Sequence, residues 1–143
     1  MAMRDGAMHT LGVGTTRDMR SVISGIFLPT WMDREYTLPE KINIWRGKWS
    51  ASSKQLWNQV LKTDITVAVP KLDIPVYILL GKYDYTTSYA LAKAYFQQLE
   101  APLKGFYTYE NSAHSPIFEE PERTRTILTK DVLTGATKLS DIE

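Results

Sequence analysis

The apolar positions of this chain change period near its middle. From Thr16 onward they recur at helical spacing: Met19, Val22, Ile23, Ile26 and Phe27 fall at i, i+3, i+4, i+7 and i+8, one face of a helix. Thr15 or Thr16 can cap its start, and Pro29 is expected to stop it. Thr37-Leu38-Pro39-Glu40 has the form of a capping box, in which the Thr37 hydroxyl accepts the Glu40 N–H and Glu40 reaches back to the Thr37 N–H. Leu38, Ile42 and Trp45 then share a face, with Gly47 as the expected terminator. Ser50, Ser52 or Ser53 can open a third helix, lined by Leu56, Trp57, Val60 and Leu61. Residues 16–63 are thus predicted as three short helices. They hold all four tryptophans, Trp31, Trp45, Trp49 and Trp57. Packing the helices together is the plain role for these rings, and one or two facing an apolar ligand pocket is the alternative.

Pro70 and Pro75 exclude a continuing helix and place a segment boundary near residue 70. Beyond it the pattern is of another kind. Val76 to Leu80 is an uninterrupted apolar run closed by Gly81, as expected of a parallel strand covered on both faces. Thr86, Thr87 or Ser88 can cap a helix whose stripe is Leu91, Ala94, Tyr95 and Leu99, ended by Ala101-Pro102. Lys104 to Tyr109 is a second strand, with Phe106 and Thr108 on one face and Tyr107 and Tyr109 on the other. A right-handed β-α-β unit follows from that order. Glu119-Glu120-Pro121-Glu122 opens a last helix with acids in its first turn, where the dipole favours them. Ile127, Leu128 and Val132 face inward, and the tail after Thr134-Gly135 is expected to fray.

Composition narrows the class. Of 143 residues 43% are hydrophobic, enough for a folded core. Seventeen Lys+Arg against sixteen Asp+Glu leave a net charge of +1, without the basic excess of a nucleic-acid binder. No run suits a membrane span, residues 1–6 lack a signal-peptide centre, and a cytoplasmic location is expected. Cysteine is absent, so no disulfide framework or thiolate metal site is possible, and no metal or cofactor is expected. Leu11-Gly12-Val13-Gly14 follows no strand and lacks a third glycine, and Gly81-Lys82 lacks the preceding glycine of a phosphate loop, so neither predicts a nucleotide site. His9 has no partner at ligand spacing and is expected to be a surface or loop residue.

The chemistry concentrates after the two strands. The first delivers Asp84 and the second His114, both at strand carboxyl ends, where open α/β sheets hold their sites. A carboxylate that fixes an imidazole, and an imidazole that takes a proton from a nucleophile, are two parts of a triad. Structural readings compete with this: a turn or capping residue for Asp84, a loop residue for His114. The order Asp then His, each after a late strand, is that of the α/β hydrolases. Ile74-Pro75-Val76 through Gly81-Lys82-Tyr83-Asp84, Ala101-Pro102-Leu103-Lys104, and Glu110-Asn111-Ser112-Ala113-His114-Ser115-Pro116 with Glu119-Glu120-Pro121 together resemble the carboxy-terminal end of that family. The likeness is to the lidded branch with proline iminopeptidases and related esterases. It implies Asp84 as triad acid and His114 as triad base. It also implies residues 1–69 as a helical cap segment and 70–143 as the end of a hydrolase core, a partial α/β fold with a β-α-β-α unit of parallel strands.

The family's nucleophile lies in G-x-S-x-G, and none of Ser21, Ser24, Ser50, Ser52, Ser53, Ser88, Ser112, Ser115 and Ser140 is so flanked. The glycine-rich oxyanion loop and the first strands of such a sheet are also missing. The expectation is the distal part of a serine hydrolase acting on an ester or small peptide-like amide, inactive as an isolated chain. The alternative is a non-catalytic binding or association domain derived from that fold. The strand from Val76 to Leu80 would lie beside an earlier strand that this sequence does not contain. Its partner is therefore expected to be a second copy, in a homodimer, or the missing amino-terminal half.

Overall fold

The computed structural model describes residues 7–51 and 54–142. It is a mixed helix-and-strand structure with two parallel strands. A π-helical turn, Ile23–Phe27, runs into α1 (Leu28–Met32), followed by α2 (Leu38–Ala51), α3 (Lys54–Lys62) and the single turn α4 (Ile65–Ala68). Then come β1 (Val76–Gly81), α5 (Tyr89–Gln98), β2 (Lys104–Tyr109), the short α6 (Pro116–Glu119), α7 (Pro121–Lys130) and a 3-10 turn, Val132–Thr134. The strands pair in register from Val76 opposite Lys104 to Gly81 opposite Tyr109.

Side-chain alternation gives each face of this sheet a helix. On one face Phe106 meets Phe96 of α5 edge-on at 5.4 Å and Tyr89 at 5.7 Å, and the Tyr89 hydroxyl bonds to Thr108 at 2.8 Å. On the other, Tyr107 and Tyr109 pack with Ile127 of α7, and Tyr77, Leu79, Val132 and Leu139 close around them. Both helices bring large apolar side chains, and burying each contributes roughly 1.5–3 kcal/mol. The face of α5 differs in part from the expected one. Leu99 is buried as expected, but Leu91 is 72% exposed and Phe96 is buried instead. The side of the helix that reaches Phe106 is the one that packs. Of the α7 positions expected to face inward, Ile127 is buried and Leu128 is exposed.

The amino-terminal helices depart further from expectation. The segment expected to be helical from Thr16 becomes so only around Ile23, and Met19 lies before it, buried, with the Thr15 N–H and hydroxyl on its sulfur. Pro29 does not stop the helix. It stands in the first turn of α1, where the π-helical turn has just ended and a missing N–H costs least. Gly47 does not terminate α2, which continues to Ala51. Only half of the capping box forms as drawn: Glu40 accepts from the Thr37 N–H at 2.8 Å, but the Thr37 hydroxyl donates to that carboxylate at 2.6 Å. Phe27 stacks on Trp31, one turn on in the same helical run, and tilts against Trp45 of α2, so Trp45 packs between helices. Leu38, Ile42, Val60 and Leu61 are nonetheless exposed. Ser52 and Ser53, and the side chains of Trp49, Leu56 and Trp57, lie outside what is described.

The two edges of the sheet are treated differently. The tail, far from fraying, lies along the outer edge of β2. Asp141 N–H donates to Phe106 O at 2.8 Å, Ser140 Oγ accepts from Phe106 N–H at 2.9 Å, and Asp141 Oδ2 accepts the Thr108 N–H. Fully buried Asp131 anchors this strap, its Oδ2 accepting from Tyr107 OH at 2.9 Å and from Leu139 N–H at 2.8 Å. Burial, and then the Asp131 carboxylate, hold the Tyr107 phenol well above its ordinary range. β2 is accordingly buried from Gly105 to Tyr109. β1, expected to be covered, is only half-buried as far as Leu80. Val76 and Lys82 N–H both donate to β2-side carbonyls. Alternation then turns the N–H groups of Tyr77 and Leu79 the other way, where no strand among the described residues pairs with them.

Candidate active site

The loops after β1 and β2 are joined before any functional side chain is considered. Tyr83 N–H donates to Ser112 O at 3.0 Å, and Lys82 N–H to Tyr109 O at 2.9 Å. A Cβ on Gly81 would stand 2.0 Å from Ala113 O and 2.4 Å from Ser112 O, so only glycine lets the loops approach this closely.

Asp84 leaves this turn buried, with a side chain only 1% exposed. Its Oδ1 accepts from the N–H groups of Thr86, at 2.8 Å, and Thr87, at 2.9 Å. Its Oδ2 accepts from Thr87 Oγ1 at 2.7 Å and faces His114 Nδ1 at 2.8 Å. Burial pushes the Asp84 carboxyl up, but the bonds from Thr87, His114 and Thr86 together outweigh it and hold the group below its ordinary range. An ionised carboxylate can only accept, so a neutral His114 carries its proton on Nδ1. Nε2 is then left with its lone pair, on a ring 42% exposed and with no partner for that nitrogen among the described residues. Chemically, such a pair can serve as a general base, with its tautomer fixed and its basic nitrogen outward.

The His114 loop is held by two carboxylates. Glu119 Oε2 accepts from Ala113 N–H at 2.7 Å, while Glu120 Oε1 accepts from Asn111 N–H at 3.0 Å and Ser112 Oγ at 2.6 Å. Ser112 is thereby committed, and buried. Glu119 Oε1 also accepts from Arg17 N–H at 2.6 Å, and the Arg17 guanidinium lies 3.9 Å over the Tyr83 ring. Sequence reasoning brought Asp84 and His114 forward but assigned Glu119 and Glu120 to a helix dipole, and Thr86 and Thr87 to a cap. Asp-x-Thr-Thr is a turn in which the acid collects the following N–H groups, and that pattern was readable. Ser88 does cap α5, accepting from Leu91 N–H. His9 donates from Nδ1 to Val13 O at 2.8 Å, a local role. Among the described residues no group of three acidic or histidine side chains could hold a metal, and no helix is long and apolar enough to cross a membrane.

Comparison with known proteins gives distant relatives. The chain is 37% identical over 70 residues to a protein named probable aminopeptidase YbaC, from Bacillus subtilis (strain 168), covering 49% of this chain and 22% of that one. It is 26% identical over 94 residues to a proline iminopeptidase from Heyndrickxia coagulans, covering 66% and 32%. The chain thus spans less than a third of the length of the curated relatives it matches. Both names are those of peptidases, so the relationship is to hydrolytic proteins. No family model matches, and no solved structure matches.

Proposed function

We propose that these 143 residues are the distal part of an α/β-fold serine hydrolase that cleaves an ester or a small peptide-like amide, with Asp84 as triad acid and His114 as general base. The observation that carries this reading is the 2.8 Å bond from His114 Nδ1 to a buried, fully hydrogen-bonded Asp84, at the carboxyl ends of two parallel strands. The peptidase names of the two relatives support it. The nucleophilic serine and the oxyanion donors come from polypeptide outside this sequence, because no G-x-S-x-G occurs within it. An imidazole and a carboxylate without them lose the main contributions to acyl transfer. Fluorophosphonate labelling and p-nitrophenyl ester turnover test this. The chain alone is expected to show neither above a His114→Ala control, and its mixture with an amino-terminal half carrying G-x-S-x-G is expected to show both. Turnover by the chain alone that vanishes on mutating one of its own serines would overturn the assignment.

The same reading gives the open edge of β1 an occupant, a strand of that amino-terminal half. In its absence a second copy takes the place, because an isologous contact satisfies both bare edges at once. Sedimentation equilibrium of the chain alone is expected to give a dimer mass at micromolar concentration, and a monomer mass would exclude self-pairing. Leu79→Pro is the informative substitution, since its N–H faces the open side, whereas Ile78 N–H faces β2 and its loss would damage the fold itself.

A further inference from the structure

Arg17, Tyr83, Ser112, Ala113 and Glu119 form a closed ring of contacts beside the Asp84–His114 pair. The Arg17 guanidinium covers the Tyr83 ring at 3.9 Å. Tyr83 N–H donates to Ser112 O at 3.0 Å. Ala113 N–H, directly before His114, donates to Glu119 Oε2 at 2.7 Å, and the other oxygen of that carboxylate accepts from Arg17 N–H at 2.6 Å. Three segments, at Arg17, Tyr83 and Ser112–Glu119, therefore close on one another, and the first and last of them meet at the Glu119 carboxylate. We infer that Glu119 is a positioning residue for His114: by fixing the Ala113 peptide it fixes where the imidazole stands against Asp84, and through Arg17 it ties that position to the segment leading into the amino-terminal helices. This rests on the reading of His114 as a general base.

The chemistry favours Glu119 over its neighbours for this role. Ala113 is buried, so its N–H has no water to turn to if the carboxylate is lost. That N–H belongs to the Ser112–Ala113 peptide, the last one before the Ala113–His114 peptide from which the His114 side chain leaves the backbone. Glu120 holds the loop one step further back, at Asn111 and Ser112. Glu122, by contrast, pairs only with Arg125 on the exposed face of α7. It supplies a matched acidic control.

The test is nuclear magnetic resonance of the His114 ring in the chain as it stands, following the Nδ1 proton shared with Asp84 and its exchange with water. Glu119→Ala is expected to speed that exchange by at least roughly tenfold, the consequence of leaving a buried N–H unpaired beside it. Glu119→Gln, which keeps one acceptor oxygen, is expected to fall between Glu119→Ala and wild type, and Glu122→Ala to match wild type. If Glu119→Ala does not fold, the Glu119→Gln exchange rate decides. A Glu119 variant that is folded and keeps the wild-type exchange rate overturns the inference, as does acceleration by Glu122→Ala of equal size. This readout requires no hydrolysis. Failure of fluorophosphonate labelling in the assembled protein would therefore overturn the proposed function while leaving the positioning result distinct.

Discussion

Gly81→Ala is expected to destabilise the chain by about 3–5 kcal/mol, above the usual cost of overpacking because the backbone itself must absorb the clash. The added methyl carbon would lie 2.0 Å from one carbonyl oxygen and 2.4 Å from another, both backbone, so no side-chain rotation can relieve it. Either β1 must withdraw from β2 or the loop carrying His114 must move outward. Against a typical domain stability of roughly 5–15 kcal/mol, that loss consumes a large share. Urea unfolding followed by far-ultraviolet circular dichroism measures it. A shift of the midpoint corresponding to less than about 1 kcal/mol would show that the two loops separate easily, and that their closeness is no constraint.

Under the proposed function, Asp84→Asn is expected to lower kcat of the assembled protein by roughly 10⁴-fold, the loss associated with a triad histidine held in the wrong tautomer. The local hydrogen bonds dictate the direction. The Thr86 and Thr87 N–H groups both need an acceptor at Oδ1. An asparagine must turn its oxygen to them, which places its NH₂ where Oδ2 stood. That group donates to His114 Nδ1 and forces the ring proton onto Nε2, the nitrogen that should accept. Ester turnover of assembled wild type and variant checks this, and a loss below about tenfold would remove Asp84 from the triad role. The same substitution carries a stability signature in the chain alone. Hydrogen bonding lowers the folded carboxyl below its ordinary value. The stabilisation is therefore complete above the unfolded value near ~4 and is lost as pH falls through the folded one. The wild-type advantage over Asp84→Asn should accordingly be present at pH 7 and shrink on acidification.

Much of the β-α-β core was legible in the residues because its signals are local. The run from Val76 closes at a glycine, the Lys104–Tyr109 strand alternates as drawn, and Ser88 caps α5 through its own hydroxyl. Asp84 and His114 were legible as chemistry-bearing residues at strand ends, and the structure places them within hydrogen-bonding distance. What was hidden depends on contacts across long sequence separations. Leu91 and Phe96 offer two helix faces of similar apolarity, and only the position of Phe106 selects between them. Glu119 reaches Arg17 across more of the chain than any pattern spans. The tail looked polar because Ser140 and Asp141 use their polarity to bond the backbone of β2. Among the described residues, the amino-terminal helices bury few of their periodic apolar positions. Their apolar positions are spaced correctly, yet Leu38, Ile42, Val60 and Leu61 face solvent in this chain.

The strap at Ser140, Asp141 and Ile142 would limit the proposed self-pairing to two copies. Because it fills the side of β2 that would otherwise accept a further strand, the sheet can grow in one direction only. Two copies meeting at β1 consume both growing ends in a single event, so such association stops at a closed pair and has no axis along which a fibre could extend.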